Sequence, residues 1–211
     1  FDSSVCTGGA SSCWASSIKA VPAYENGATP YGEATSNGLY AWTQWTSNMN
    51  FDWDMALIRL DRPVGALTSW FGYGYNTDNS FFTGNTFHNP GYPGEIYDTQ
   101  FMYYWYGNYD YTTPEIVYFE RTGYGGQSGS GSYFTNASNQ SFVYAVHSHK
   151  TPPDGAGDQD AGQTRVTQAK FDGITAWVNG NTPSSIDWVP LDVNVSPTVI
   201  TAGSPDSPST L

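Results

Sequence analysis

Apolar residues occur in short runs, each bounded by glycine, proline or asparagine. A typical run is residues 55–60, which follows Asp54 and ends before Asp61-Arg62-Pro63. The other predicted strands are aromatic or β-branched: residues 16–24, 40–45, 69–75, 85–89, 100–106, 115–120, 132–135 and 141–147. Many short strands between turn residues predict an all-β sandwich or barrel.

One segment near the end has a helical period instead. Its apolar residues recur on one helical face: Phe171, Ile174, Trp177 and Val178. Thr167 is the predicted N-cap, and Gly180 is predicted to end the helix. The pattern therefore predicts a β protein that closes with a single amphipathic helix.

Composition narrows the class of protein. The chain has 211 residues, 38% of them hydrophobic, with 8 Trp, 16 Tyr and 11 Phe. Such an aromatic content with only 12% charged residues argues against disorder. The net charge of −12 disfavours nucleic acid and anionic membranes as partners. No apolar run approaches the ~18 residues that would indicate a membrane span.

The chain begins at Phe1, which favours a processed or truncated product. Cys6 and Cys13 are predicted to form a local disulfide, as in an oxidising compartment, with unpaired thiols as the alternative. No histidine lies close to them, so neither a metal nor a cofactor is expected. The low charge and polar composition favour a secreted, extracellular protein.

Two regions are predicted along the chain. Residues 1–180 form one domain, and the composition changes after Gly180. Residues 181–211 are interpreted as a linker followed by the start of a further β-sandwich domain, or as a flexible tail.

The run Gly125-Gly126-Gln127-Ser128-Gly129-Ser130-Gly131 is the main candidate for chemistry. Its glycines leave the Ser128 hydroxyl unhindered. They also allow backbone amides to point at a developing oxyanion. A glycine-serine turn without a function is the alternative.

A serine nucleophile needs a base and an orienting carboxylate. Asp54 is the candidate carboxylate, because it directly precedes a strand that would hold it in place. An α/β-hydrolase is excluded, since that fold needs Gly-x-Ser-x-Gly and the order Ser, Asp, His, whereas Ser130 stands two residues after Ser128.

The chain resembles the chymotrypsin-like (trypsin-like) serine proteases, and within them the secreted bacterial glutamyl endopeptidases. The similar segments occur in the family's order: residues 30–32, 54–60, 70–73, 91–94, 124–130, 145–147 and 164–167. The resemblance implies a chymotrypsin-like double β-barrel with a C-terminal helix. It implies Ser128 as nucleophile, Asp54 as orienting acid, the Gly126 and Ser128 amides as oxyanion hole, and His147 as substrate-binding residue.

Two features depart from the family. Phe1-Asp2 resembles the Tyr-Asp pair that follows the family's catalytic histidine, so that histidine and the first strands are expected upstream of residue 1. A cleaved N-terminal fragment could supply the histidine as a partner. The family also has a hydroxyl residue five positions before the nucleophile, where this chain has Gly123 beside Thr122. A preference for acidic P1 residues therefore rests on His147. His88 is interpreted as a surface-loop residue and His149 as a rim residue.

The expected function is that of a secreted serine endopeptidase whose partner is a polypeptide substrate. One alternative is a catalytically inactive, protease-like structural or adhesive module of a larger extracellular protein. Another is a carbohydrate-binding module that uses the aromatic surface around residues 101–109.

Overall fold

The computed structural model describes residues 14–120, 122–151 and 159–180, and the backbone of residues 186–190. The strands are β1 (Lys19–Ala20), β2 (Ala34–Trp42), β3 (Ala56–Leu60), β4 (Gly72–Tyr73), β5 (Phe87–Gly91), β6 (Tyr103–Gly107), β7 (Tyr111–Thr112), β8 (Ile116–Phe119), β9 (Gly131–Thr135), β10 (Ser141–Thr151), β11 (Asp160–Arg165) and β12 (Ile186–Pro190). The helices are α1 (Thr43–Asn48), α2 (Gly65–Thr68), α3 (Asn79–Gly84) and α4 (Gln168–Val178), with a 3-10 turn at Phe51–Trp53.

The first sheet is built around β2, which pairs antiparallel with β1, β3 and β12. Tyr40 and Trp42 from β2 and Met55 before β3 are buried in a core that also includes Val166 and Ile174. This core joins the first sheet to the segment that leads into α4.

The second sheet has eight strands in the order β6-β5-β9-β10-β11-β8-β7, and β4 pairs in parallel with β10. Seven residues form its buried core: Phe82, Phe87, Tyr109, Val117, Phe119, Ala145 and Ala161. The long strand β10 lies between β9 and β11, and its register shifts against β11 between His147 and His149. This irregularity falls where the functional side chains are expected.

Helix α4 confirms the predicted closing helix, with a narrower apolar face than expected. Its Trp177 ring packs 4.4 Å from Tyr40 between ring centroids, whereas Val178 is exposed. Thr167 occupies the N-cap position without a side-chain capping bond. Gly173 packs directly against the Trp42 ring. A Cβ added at Gly173 would lie 2.2 Å from a carbon of that ring.

Two predicted element boundaries near the first sheet were wrong. The predicted strand 16–24 contains only the two-residue β1, and the predicted strand 40–45 is the end of the longer β2. The last residues of that predicted strand belong to α1, where burial of Trp45 stabilises the helical turn. Met49 ends α1 in the left-handed conformation with φ of 51°.

The fold is thus mostly β, with antiparallel sheets and a closing helix, as the resemblance implied. Strand β12 pairs with β2 in register Trp42 to Ile186 and Gly38 to Pro190. The domain boundary at residue 180 stays a prediction. Cys6 and Cys13 lie outside the described residues, so their disulfide also stays a prediction.

Candidate active site

The loop that carries Ser128 connects β8 to β9 and leaves this serine exposed. Gly126 and Gly129 have φ values of +100° and +85°, which L side chains rarely adopt. A Cβ on Gly126 would lie 2.5 Å from Gly94 N and 2.6 Å from Tyr92 O. Both conformation and space therefore require glycine at position 126.

Two backbone hydrogen bonds hold this loop against β10. Gly129 N donates to His147 O at 2.9 Å, and His147 N donates to Ser130 O at 2.9 Å. Tyr124 N donates a hydrogen bond to Oε1 of the buried Gln127 at 3.0 Å. The base of the loop is thus fixed while the Ser128 side chain faces solvent.

Asp54 lies between the 3-10 turn and β3, and its carboxylate is bound by Ser148. Ser148 Oγ donates to Asp54 Oδ2 at 2.6 Å. Burial raises the pKa of Asp54 above its ordinary value, and the hydrogen bond from Ser148 opposes that rise. Sequence reasoning missed Ser148, which is 94 residues from Asp54 and has no motif of its own.

His147 is buried within the second sheet, with 2% of its surface exposed. Burial, with a smaller contribution from His149, lowers the pKa of His147 to about 4. Its Nδ1 has no hydrogen-bond partner among the described residues. The imidazole is therefore neutral at neutral pH and has hydrogen-bonding capacity left for a ligand.

Positions 122 and 123 offer no free hydroxyl at this site. Gly123 N donates to Gln159 O at 2.7 Å, and a Cβ on Gly123 would lie 2.5 Å from Asp160 O. Thr122 Oγ1 donates to Phe119 O at 3.2 Å. The close approach of the 159–160 backbone explains why glycine stands where the family has a hydroxyl residue.

The other two histidines contact other side chains. His88 lies in β5, in line with the predicted strand 85–89, so its interpretation as a surface-loop residue was wrong. The Nδ1 of His149 contacts Ser148 Oγ at 3.1 Å, and its ring packs on Phe51. Within the described residues, no histidine is hydrogen-bonded to the Ser128 hydroxyl.

His88 belongs to an aromatic ladder on the outer face of the second sheet, with Tyr104, Tyr106 and Tyr133. Its ring centroid lies 5.6, 6.3 and 5.1 Å from theirs, with interplanar angles of 28°, 26° and 23°. Tyr104 and Tyr106 of this ladder are exposed. The carbohydrate-binding alternative stays a prediction.

The chain is similar in sequence to two bacterial proteases. No protein-family model matches the chain. It is 31% identical over 153 residues to a glutamyl endopeptidase of Bacillus licheniformis, covering 71% of this chain and 46% of that protein. It is 29% identical over 169 residues to an extracellular metalloprotease of Bacillus subtilis, covering 79% of this chain and 50% of that protein. The chain thus spans about half the length of these curated relatives.

A solved structure of a Glu endopeptidase in complex with MPD aligns with a TM-score of 0.64 at 19% identity, covering 76% of this chain and 71% of that chain. Together these findings define the class: the chain is related in sequence to a bacterial glutamyl endopeptidase and shares the fold of a solved Glu endopeptidase, as a distant homologue of the chymotrypsin-like serine proteases. Within that class it is a distant homologue of the bacterial glutamyl endopeptidases.

Among the described residues, no helix is long and apolar enough to cross a membrane. No three His, Cys, Asp or Glu side chains among them are grouped as ligands of a metal ion.

Proposed function

We propose that this protein is a secreted serine endopeptidase that cleaves polypeptides through an acyl-enzyme at Ser128. The observation that carries the proposal is that β10 contacts both the Ser128 loop and Asp54. His147 of that strand binds the Ser128 loop through its backbone, and the adjacent Ser148 binds Asp54. Residues of one strand therefore position both the proposed nucleophile and the proposed orienting acid.

In the proposed reaction, Ser128 Oγ attacks the carbonyl carbon of the scissile peptide. Its proton passes to an imidazole base, and the Gly126 and Ser128 amides stabilise the oxyanion. The protonated base gives that proton to the leaving amine, and water then hydrolyses the ester. Asp54 orients the base and stabilises its protonated form.

The base in this proposal is a histidine other than the three of this sequence, on a segment that docks beside Asp54. The surroundings of the three histidines of this chain support this assignment. His88 stacks on Tyr133, His147 is buried, and His149 contacts Ser148. Losing the base would cost roughly a millionfold in turnover, as in other triads. Activity of the purified protein therefore reports whether that segment is present.

We further propose an acidic P1 preference that depends on His147. Support comes from its buried position beside the nucleophile loop and from the unpaired Nδ1. Because Gly123 has no hydroxyl and the Thr122 hydroxyl donates to Phe119 O, His147 carries the recognition of the carboxylate in this proposal.

The direct test is labelling with a fluorophosphonate, followed by intact-mass measurement. We expect one adduct on the wild-type protein and none on Ser128→Ala. Ser138→Ala, which changes an exposed serine in the turn between β9 and β10, is the matched control and should label normally. Absence of any adduct, in protein shown by mass to contain the upstream histidine, would favour the inactive adhesive module.

A further inference from the structure

Glu95 binds both backbone polar groups of Gly125, 30 residues away in the sequence. Glu95 N donates to Gly125 O at 3.1 Å, and Gly125 N donates to Glu95 Oε2 at 2.5 Å. The same carboxylate oxygen accepts a hydrogen bond from Lys150 Nζ at 2.6 Å. The turn that follows β5 is thus joined to the Ser128 loop and to β10 by one side chain.

This contact determines the direction of the Gly126 amide. Gly125 C=O and Gly126 N–H belong to a single planar trans peptide, so they point in opposite directions. Because Gly125 O is bound to Glu95 N, the Gly126 N–H must point away from the Glu95 turn. The tight packing of Gly126 on Gly94 N and Tyr92 O fixes the same peptide from its other end.

The loop needs such an anchor because it is rich in glycine. Glycine has the largest conformational freedom to lose, so an unanchored Gly125-Gly126 peptide would rotate easily. The carboxylate acceptor makes the bond to Gly125 N charge-assisted. The ion pair itself is solvent-exposed, with 34% of the Lys150 and 45% of the Glu95 side-chain surface accessible, so we assign it little global stability.

We propose that Glu95 is a positioning residue: its backbone N–H orients the Gly125-Gly126 peptide and its carboxylate fixes the preceding Tyr124-Gly125 peptide, so that Gly126 N–H can stabilise the oxyanion. The inference rests on the proposed function of Ser128. Lys150 holds the carboxylate in place from β10 and has the lesser effect, since the Gly125 bond can form without it.

The test compares Glu95→Ala, Glu95→Gln and Lys150→Met in fluorophosphonate labelling. Glu95→Ala keeps the backbone bond to Gly125 O but releases the Tyr124-Gly125 peptide, so it should lower the maximal labelling rate by up to about tenfold, a part of the ~100-fold or larger cost of losing an oxyanion donor outright. The concentration for half-maximal rate should stay unchanged, because Glu95 does not contact the reagent. Glu95→Gln keeps a neutral acceptor and should recover most of the rate, and Lys150→Met should stay close to wild type.

Glu33→Ala is the matched control, because it removes another exposed carboxylate paired with a lysine, Lys19 at 2.7 Å. A second readout needs no reaction: in 15N-glycine-labelled protein, the Gly125 amide proton should shift upfield in Glu95→Ala and not in Glu33→Ala. Loss of the bond to the carboxylate would cause that shift.

The outcomes separate the two proposals. Normal labelling of both wild type and Glu95→Ala would overturn the role of Glu95 and leave the role of Ser128 intact. If wild-type protein shown by mass to contain the histidine segment does not label, the proposed function fails, and the Gly125 amide shift alone tests the role of Glu95. An unchanged Gly125 amide shift in Glu95→Ala then overturns the role of Glu95, and an upfield shift supports that role.

Discussion

Recognition of an acidic P1 side chain by His147 should be strongly pH-dependent. The buried imidazole has a pKa of about 4, so it is neutral in the free protein at pH 7. Protonating it there costs roughly three pKa units, about 4 kcal/mol at 1.36 kcal/mol per unit. A P1 glutamate that pairs with imidazolium must offset this cost, and binding then takes up a proton.

The sign follows from this linkage. Below the pKa of His147 in the complex and above its pKa in the free protein, affinity for a P1 carboxylate rises as pH falls. The limit is about tenfold per pH unit, since one proton is taken up. Protonation of the substrate's own glutamate, with a pKa near ~4.3, closes the window at its acidic end.

The assay uses two peptide substrates that differ only in P1, glutamate against glutamine. The ratio of their kcat/KM values between about pH 5 and pH 7 removes the titration of the general base, which both share. We expect the ratio to rise toward pH 5 in the wild type and to stay flat in His147→Gln. A ratio that does not change with pH in the wild type would refute the reasoning.

Four further predictions rest on other contacts. Glu115→Gln should cost about 3 kcal/mol of unfolding free energy, because it leaves the Lys170 ammonium, 0% exposed, without its carboxylate. Lys170→Met should cost less by urea denaturation, since Glu115 is 31% exposed and can be hydrated. Gly126→Ala should slow labelling of the nucleophile about tenfold or more, because of its φ of +100° and its contact with backbone. Ser148→Ala should raise the pKa of Asp54 further and move the acidic limb of the labelling rate to higher pH.

Each of these has its own control or contrary result. Gly84→Ala adds a Cβ where nothing lies within 4 Å, so it should label normally. A larger loss of stability in Lys170→Met than in Glu115→Gln would contradict the assigned asymmetry. An acidic limb that does not move in Ser148→Ala would show that the hydroxyl does not tune Asp54.

Local patterns made most strands of the second sheet and helix α4 predictable. The nucleophile loop was also predictable, because its backbone needs glycine at positions 126 and 129, where φ is +100° and +85°. Strand β2 was harder, because its first half is polar. Ser36 is nevertheless buried, and its hydroxyl accepts a hydrogen bond from Ile18 N at 2.8 Å. Only pairing with β1 makes such a residue suitable for a central strand.

Contacts between distant residues could not be predicted from local patterns. Lys170 occupies a buried position on α4 because Glu115 and Arg165 O bind its ammonium, at 2.5 and 3.0 Å. No periodicity of apolar residues identifies a lysine as part of a core. The contact of Glu95 with Gly125 is equally invisible in sequence, since a glutamate in a turn is usually only solvated.

The segment 147–150 of β10 unites the separate parts of the candidate site. His147 binds Gly129 through its carbonyl, Ser148 binds Asp54, and Lys150 binds Glu95, which in turn holds Gly125. In a regular strand, consecutive side chains would point to alternate faces. The register shift between His147 and His149 interrupts the ladder at Ser148, beside the nucleophile loop. Because bulges of this kind redirect side chains, the irregularity accounts for how one short segment contacts both the orienting acid and the loop.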